Sequence, residues 1–127
     1  MYTDYSIALD FHQRFFPDLG DRYLASNVFI TPPGHTNPVR FGAPFRRFTT
    51  DQGRRMLAFG TLFNFTYAAQ GIHVQFMDEF VKEQWFLDEL VREEVDAIIL
   101  LGHVPVGFPE WTLLHQVIRR ILPDTPM

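Results

Sequence analysis

The fold class of this chain is indicated most clearly by the residues Asp96-Ala97-Ile98-Ile99-Leu100-Leu101-Gly102-His103. The apolar residues of this stretch follow one another without polar alternation, which is typical of a strand that a sheet buries on both faces. A helical pattern precedes it from Asp78 to about Glu93, and another follows from Glu110 to Leu122. Helix, buried strand, loop and helix in this order predict an α/β unit.

The two helices that flank this strand each predict an apolar face. In the first helix this face holds Phe80, Leu87, Leu90 and Val91, with Val81 and Trp85 beside it. In the second helix it holds Leu113, Leu114, Val117, Ile118 and Ile121. Both helices are therefore expected to pack on the central strand.

Farther toward the N-terminus, the patterns predict shorter elements. Thr3 or Asp4 can cap a first helix that Pro17 ends. Residues 23–29 favour a short strand, and the Pro- and Gly-containing residues 31–44 favour a loop. The apolar residues at helical spacing in the first helix are Ile7, Ala8, Phe11 and Phe15.

A β-hairpin is predicted in the middle of the chain. The apolar-alternating runs from Phe45 to Thr50 and from Arg54 to Phe59 flank the turn Asp51-Gln52-Gly53. Two such runs around a Gly-containing turn are typical of paired antiparallel strands.

The amino-acid composition excludes several classes of protein. The chain has 127 residues, of which 46% are hydrophobic and 16% aromatic, including 14 Phe. This load favours a packed core over disorder. No apolar run approaches the roughly 18 residues of a membrane-spanning helix. The absence of cysteine excludes a disulfide scaffold, a Cys-ligated zinc site and a thiol nucleophile.

The charge balance argues against a nucleic-acid polymer as partner. Lys and Arg number 11 against 15 Asp and Glu, so the formal net charge is −4. The arginine pairs Arg46-Arg47, Arg54-Arg55 and Arg119-Arg120 are expected on solvated faces. Residues 1–9 do not have the pattern of a secretory signal peptide.

His103 is the one strand-end residue with metal-ligating chemistry. In α/β sheets the chemistry lies in the loops that follow the carboxyl ends of the strands. Gly102 before it allows a sharp backbone turn and close approach to an ion. Imidazole is the commonest nitrogen ligand of Zn, Mn and Fe. A strand-end histidine that is merely hydrogen-bonded is the alternative.

Four segments carry a resemblance to a known family. The chain resembles the calcineurin-like metallophosphoesterases, and is most similar to their 5′-nucleotidase branch of fungal type. The similar segments, in the same order along the chain, are Tyr23–Val28, Arg54–Gly60, Val81–Phe86 and Asp96–Val106, the last followed by a helix with Ile118-Arg119 and Leu122-Pro123.

The resemblance implies an incomplete α/β/β/α sandwich with a mixed sheet, of which residues 1–127 are a middle-to-late part. It implies a hydrolase that cleaves phosphate esters, with nucleotides as the substrate class. It also implies two divalent ions (Zn, Mn or Fe) that clamp the phosphate and activate water. Only His103 carries over as a metal ligand. Proteins of this family are often secreted, vacuolar or periplasmic, and the compartment of this chain is left open.

Three segments match other metal motifs of the family by letters alone. Asp10-Phe11-His12 lies in a predicted helix, where residues two apart point in different directions. Gly20–Leu24 has Leu where the family has its second Asp, and Gly34–Asn37 has Asn where the family has its second His. We therefore expect no metal at these segments, and we expect that the chain by itself lacks most ligands and is inactive.

Two asparagines, Asn64 and Asn27, are expected to have different roles. Asn64 follows the Gly60 strand and is a candidate to contact substrate. Asn27 is expected to bond backbone at a strand end rather than to touch substrate. The alternative for the whole chain is a non-catalytic α/β binding or interaction module that has lost the dinuclear centre. Such a module would melt cooperatively, whereas a fragment would expose sheet edges and aggregate.

Overall fold

Two three-stranded sheets with helices beside them make up the computed structural model, which describes residues 1–127. The strands are β1 (Val28–Ile30), β2 (Val39–Arg40), β3 (Arg46–Thr49), β4 (Arg55–Leu62), β5 (Ile72–Val74) and β6 (Ala97–His103). The α-helices are α1 (Tyr5–Asp10), α2 (Phe16–Leu19), α3 (Met77–Phe80), α4 (Gln84–Arg92) and α5 (Pro109–Ile121). The predicted α/β class is confirmed.

The larger sheet has the strand order β3-β4-β6 and is mixed. β3 and β4 form the predicted hairpin, whose turn contains Gly53 at a φ of 82°. β4 continues beyond the predicted end at Phe59, and it pairs in parallel with β6 from Met56↔Ala97 to Leu62↔His103. The carboxyl ends of β4 and β6 therefore lie side by side at the same end of the sheet.

The expectation that β6 is buried on both faces is wrong. Ile98 is buried, but Leu101 is 55% exposed, and Gly102 and His103 are exposed as well. Ile98 points to the face on which α3, α4 and α5 pack, whereas Leu101 and His103 point to the opposite face. A continuous apolar run reports how apolar a strand is, and it does not report whether both faces of the sheet are covered.

The main hydrophobic cluster lies between the larger sheet and α3, α4 and α5. Alternate residues of β4 point into it, as does Ile98 of β6. The buried members are Leu57, Phe59, Met77, Phe80, Val81, Phe86, Leu90, Ile98, Leu114 and Ile118. Many of the phenylalanines of the chain are thus core residues, as the composition predicted.

The single helix predicted from Asp78 to about Glu93 is wrong, because the structure divides it into α3 and α4. In one continuous helix, residues six apart would lie about 120° apart around the axis. The break lets Phe80 and Phe86 meet in the core, with ring centroids 4.7 Å apart. Val91, which was predicted on the apolar face, is 63% exposed.

The N-terminal helix begins as predicted but does not end at Pro17. Asp4 caps α1, since its Oδ1 accepts hydrogen bonds from the backbone N of Ser6 (3.0 Å) and Ile7 (3.3 Å). A π-helical turn, Phe11–Phe15, joins α1 to α2, and Pro17 lies in the first turn of α2. A proline is tolerated there because its missing N–H needs no partner.

The π-helical turn also changes which residues face the core. Ile7 is 56% exposed and Phe15 is 51% exposed, although both were predicted on the apolar face. Ala8 is buried, and the ring of Phe11 packs on Tyr23 at 4.6 Å between centroids. A π-turn adds a residue to the helical repeat and so shifts the positions that follow it.

The smaller sheet has the order β2-β1-β5, with both pairs antiparallel. β5 was not predicted, and β2 lies within the residues 31–44 that were predicted as loop. Both strands are too short to show a period of two. The second hydrophobic cluster lies on this sheet, and its buried members are Ala8, Ala25, Val28, Ile30, Phe41, Leu62, Ile72 and Val74.

Ser26 and Asn27 join the two sheets through buried hydrogen bonds. The backbone N of Ser26 donates to the Gly60 carbonyl (2.6 Å), and the backbone N of Gly60 donates to Ser26 Oγ (3.0 Å). A Cβ on Gly60 would lie 2.7 Å from Leu24 Cβ and 2.8 Å from the Leu24 carbonyl oxygen. The close approach of the two chain segments therefore requires glycine at position 60.

The arginine pairs are not all on solvated faces. Arg47 is largely buried, and its Nε donates to Glu89 Oε2 at 2.9 Å, which ties β3 to α4. Arg119 is half-buried, and its guanidinium donates to the carbonyls of Leu122, Pro123 and Thr125 beyond the end of α5. For these two residues the expectation is wrong.

The ion pair between Arg55 and Asp96, just before β6, predicts that the stability of the fold depends on pH. Asp96 Oδ2 accepts from the backbone N of Arg55 (2.7 Å), and Oδ1 accepts from Arg55 Nη2 (3.0 Å). The Arg55 side chain, and then its backbone N–H, lower the pKa of Asp96 to about 2 from an ordinary 3.8. Asp96→Asn should destabilise the fold above about pH 4, and the deficit should vanish as the pH falls toward 2, since a depressed pKa stabilises only the ionised form.

Urea unfolding of the parent and of Asp96→Asn between pH 2 and pH 6 measures this difference. Asp124→Asn, a change of the same chemistry at an exposed position, is the control and should show no such trend. A difference between parent and Asp96→Asn that stays constant with pH would contradict the expected role of the pair.

Candidate functional site

His103 lies where the carboxyl ends of β4 and β6 meet. It pairs with Leu62 in the parallel ladder, and its carbonyl accepts a hydrogen bond from the backbone N of Phe63 at 3.2 Å. The imidazole is exposed and packs edge-on against the Phe63 ring, with 5.8 Å between centroids. Neither ring nitrogen is hydrogen-bonded within the chain, so both are free to bind a partner from outside.

Gly102 has a different role from the predicted one. It belongs to β6, and its φ is not in the left-handed region, so no sharp turn occurs there. A Cβ at this position would lie 2.6 Å from Cζ3 of Trp111. Glycine is therefore required because the indole of α5 packs directly on the strand backbone, one residue before His103.

A cavity of about 460 Å³ lies on the face of the larger sheet that carries His103. The ladder pairs Gly60↔Leu101 and Leu62↔His103 define this face. The residues that line the cavity are Tyr2, Leu24, Ala25, Val28, Gly60, Thr61, Leu62, Leu100, Leu101, Gly102 and His103. Most of the lining residues are apolar, and Tyr2 and His103 are among the polar ones.

Tyr2 brings a second titratable group to this cavity. Its phenol oxygen lies 3.2 Å from that of Tyr23. Burial, and then the hydrogen bond with Tyr23, raise the pKa of Tyr2, and burial raises the pKa of Tyr23. Both phenols therefore stay neutral at physiological pH and serve as hydrogen-bonding groups rather than as anions.

Asn64 lines a different cavity, of about 540 Å³, at the starts of α3 and α5. Its Oδ1 accepts from the backbone N of Met77 (2.8 Å), and its own backbone N donates to Glu110 Oε1 (3.3 Å). Asp78 also lines this cavity. The side-chain nitrogen of Asn64 makes no hydrogen bond within the chain, so it is the atom that could contact a ligand. The role of Asn64 toward substrate stays a prediction.

The structure does not bring His103 and Asn64 into one cavity. Phe63 immediately precedes Asn64 in the chain, and its ring contacts those of His103 at 5.8 Å and Phe108 at 6.4 Å, measured between centroids. Phe108 lines the cavity of Asn64. The two candidate residues therefore line different cavities.

The residues present do not make a dinuclear metal centre. Nowhere in the chain do three His, Asp or Glu side chains converge in a way that could hold an ion. His12 Nδ1 is 3.3 Å from the Phe41 carbonyl oxygen, and Asp10 pairs with Arg14 at 3.1 Å. His103 offers a single imidazole, and we derive no reaction step through a metal for this chain alone.

Asn27 bonds backbone, as the sequence predicted, and it does so from a fully buried position. Its Nδ2 donates to the carbonyls of Leu62 (2.8 Å) and Gln75 (2.9 Å), and its Oδ1 accepts from the backbone N of Leu62 (2.9 Å). It thereby holds the end of β4 that pairs with His103. The roles of Ser26 and Trp111 were missed, since only the tertiary contacts define them.

None of the helices combines the length and the apolar character that crossing a membrane requires.

Comparison with known proteins gives relatives that are several times longer than this chain. No protein-family model matches. An uncharacterized protein of Schizosaccharomyces pombe is 37% identical over 124 residues, which are 96% of this chain and 20% of that protein. A protein of Arthroderma benhamiae named "Secreted protein" is 32% identical over 126 residues, 95% of this chain and 19% of that protein. The chain spans about a fifth of the length of the curated relatives it matches.

The fold has a counterpart among solved structures. The crystal structure of a 5′-nucleotidase from Candida albicans superposes with a TM-score of 0.90 at 32% identity, over 98% of this chain and 23% of that chain. The mixed α/β arrangement with two small sheets therefore corresponds to a segment of a nucleotidase-type α/β domain, which confirms the predicted fold class.

Proposed function

We propose that residues 1–127 are part of a metal-dependent phosphoesterase domain of the 5′-nucleotidase type, in which His103 supplies one metal ligand. The similarity in structure to the Candida 5′-nucleotidase over nearly the whole chain is the observation that carries this proposal. The substrate class proposed is a nucleotide or another small phosphate ester. The alternative class, a nucleic-acid polymer, fits poorly with a net charge of −4.

The position of His103 supports its role as a ligand. It lies at the carboxyl ends of parallel strands, where ligand sites of α/β sheets occur. Its ring is exposed with both nitrogens free, and the Phe63 ring beside it limits its orientations. When two divalent ions (Zn, Mn or Fe) are bound in such a centre, they bind the phosphate oxygens and lower the pKa of the attacking water. The remaining ligands have to come from polypeptide other than this chain.

A segment exchange tests the proposal. Residues 1–127 replace the superposed segment of the Candida 5′-nucleotidase, and hydrolysis of a nucleoside 5′-monophosphate and bound metal are measured. We expect the chimera to be active. In the chimera, His103→Ala should lower kcat/KM by about 100-fold or more, because a catalytic metal contributes several kcal/mol. The number of tightly bound ions per chain should fall with it.

His115→Ala is the matched control, since His115 is exposed on α5 and lines neither cavity described above. Unchanged activity and metal content in His103→Ala would refute the ligand role. The unfused chain of 127 residues is expected to be inactive toward an activated aryl phosphate. If the unfused chain hydrolysed the aryl phosphate in a metal-dependent way, and lost this activity on His103→Ala, the proposal that other polypeptide supplies the remaining metal ligands would be refuted.

A non-catalytic interaction module is the second candidate function. The two hydrophobic clusters and the hydrogen bonds of the buried Asn27 support it, because a module that acts by itself needs a core of its own. It predicts a well-folded chimera that has lost hydrolysis, together with cooperative melting of the unfused chain. An active chimera decides against it.

A further inference from the structure

Asn64-Phe65-Thr66 is the one segment of this chain with the acceptor pattern of N-linked glycans, which is Asn followed two positions later by Ser or Thr, with any residue except proline between them. The other two asparagines lack the pattern, because Asn27 is followed two positions later by Phe29 and Asn37 by Val39. Any N-linked glycan on this chain is therefore attached to Asn64.

The segment around Asn64 has the surface character that a glycan requires. Residues 63–69 form neither a helix nor a strand, and Thr66 is exposed. The backbone N of Phe65 donates to the Phe63 carbonyl at 2.6 Å, so the chain turns at Asn64. N-linked glycans are bulky and solvated, and surface loops carry them.

The side chain of Asn64 is held in a way that leaves its nitrogen available. Its Oδ1 accepts from the backbone N of Met77 (2.8 Å), and this bond is compatible with a glycan, because the sugar is attached to Nδ2. Nδ2 makes no hydrogen bond within the chain, so a sugar there would break no contact of the fold. Asn27 shows the opposite arrangement, since its Nδ2 is buried and donates to two carbonyls.

The cavity beside Asn64 has the room and the chemistry for the first sugar. Its volume of about 540 Å³ lies within the roughly 300–1,000 Å³ of sites that hold small molecules. The ring of Phe108, which is 42% exposed, lines the cavity and would gain from being covered by the apolar face of a sugar ring. Asp78 and Glu110 line it as well, and carboxylates accept strong hydrogen bonds from hydroxyl and amide groups.

We propose that Asn64 is the acceptor of an N-linked glycan, and that the first N-acetylglucosamine lies in this cavity against Phe108. The donor is a lipid-linked oligosaccharide diphosphate, used by a membrane-bound transferase of the secretory pathway. Nδ2 forms a bond to the anomeric carbon of the sugar while the bond from that carbon to the diphosphate oxygen breaks. The lipid diphosphate leaves with the electron pair, and Nδ2 gives one proton to a base of the transferase.

The proposal gives Asn64 a use other than contact with substrate. A glycan would occupy Nδ2, the atom that such a contact would need. It would leave the cavity of His103 free, because Asn64 and His103 line different cavities. The glycan therefore does not depend on whether His103 binds a metal. One of the relatives described above is named "Secreted protein", and glycans of this type are added to secreted proteins.

Peptide mapping tests the modification. The full chain is produced in a yeast behind a cleavable secretory leader, and cells and medium are both analysed after endoglycosidase H, which leaves one N-acetylglucosamine on the asparagine. Trypsin releases residues 56–82, which contain Asn64 and no other asparagine. Mass spectrometry should find this peptide with one N-acetylglucosamine in most copies of the parent. Thr66→Ala, which keeps Asn64 and its bond to Met77, should lose the modification completely, and an unmodified Asn64 in the parent would overturn the proposal.

Thermal unfolding followed by circular dichroism tests the position of the first sugar. The trimmed glycoprotein is compared with the same polypeptide made in bacteria, which carries no glycan, and we expect its midpoint to be higher by about 3 °C. In Phe108→Ala the difference should fall below about 1 °C, because the two groups that interact are no longer both present. Val106→Ala is the matched control, since Val106 is 85% exposed and lines neither cavity.

A difference in midpoint that is absent from the parent, or that survives Phe108→Ala, would overturn the placement of the sugar in the cavity. Loss of cooperative melting in the glycoprotein alone would show that the fold does not accommodate the glycan, and it would overturn the proposal as well. If neither form of the unfused chain melts cooperatively, the same comparison is made in the chimera with the Candida 5′-nucleotidase, with the same outcomes deciding.

Discussion

Phe59→Ala is expected to lower the free energy of unfolding by about 3–5 kcal/mol, the range for removal of a buried aromatic ring. Phe59 is fully buried at the centre of β4. Its ring lies 5.1 Å from that of Phe86, edge-on, and 6.4 Å from that of Trp85, measured between centroids. Truncation would leave a cavity where β4 meets α4, and close packing allows only partial collapse around it. A loss of this size is a large part of the stability of a small domain, about 5–15 kcal/mol.

Urea unfolding monitored by tryptophan fluorescence measures the effect, because Trp85 reports directly on this part of the core. Phe15→Ala is the matched control, since the chemical change is the same at a residue that is 51% exposed. We expect the control to lose about 1 kcal/mol or less. Similar losses for the two variants would show that Phe59 is not a central core residue.

Asn27→Asp is expected to cost at least about 3 kcal/mol, although it changes a single heavy atom. The side-chain nitrogen donates to the carbonyls of Leu62 and Gln75, and an oxygen in its place would face both acceptors at less than 3 Å. The substitution also places a carboxylate at a fully buried position. Because Leu62 pairs with His103, the loss should loosen the end of β4 beside the candidate site.

Asn37→Asp is the matched control, at an exposed position in the loop between β1 and β2. It should change the free energy of unfolding by less than about 0.5 kcal/mol. Amide exchange at Leu62 adds a local readout, because its N–H donates to Asn27 Oδ1. A stable Asn27→Asp protein with a protected Leu62 amide would show that the two sheets are held together by other contacts.

The elements that sequence patterns predicted well are those governed by local chemistry. The hairpin around Gly53 and the helix α5 depend on turn residues and on a 3.6-residue period, which neighbours in sequence determine. The cap at Asp4 is equally local. These features survive in the structure because the tertiary packing agrees with them.

The predictions that failed depend on distant partners. The helix break between α3 and α4 brings Phe80 and Phe86 together in a core that the local pattern does not describe. The face of β6 that carries Leu101 is exposed because α3, α4 and α5 pack on the opposite face, that of Ile98. β5 is three residues long and exists because β1 pairs with it.

In the candidate site, too, some features follow from local sequence and others from distant partners. The position of His103 at a strand end was predicted from the apolar run before it, and the structure places it there. The reason for glycine at position 102 is the Trp111 indole, which lies nine residues away and reaches the strand only once α5 has packed. The placement of His103 and Asn64 in two different cavities was equally outside the reach of local patterns.

The α/β class, the hairpin, the strand that ends in His103 and the helix that follows could all be predicted from the amino-acid sequence, because hydrophobic period and turn chemistry act between near neighbours. Only the folded structure shows that Ser26 and Asn27 join two sheets, that β6 is the last strand of its sheet and that His103 and Asn64 line different cavities. These facts depend on which segments meet in space, and the free energy of such contacts comes from burial and hydrogen bonds between residues far apart in the chain.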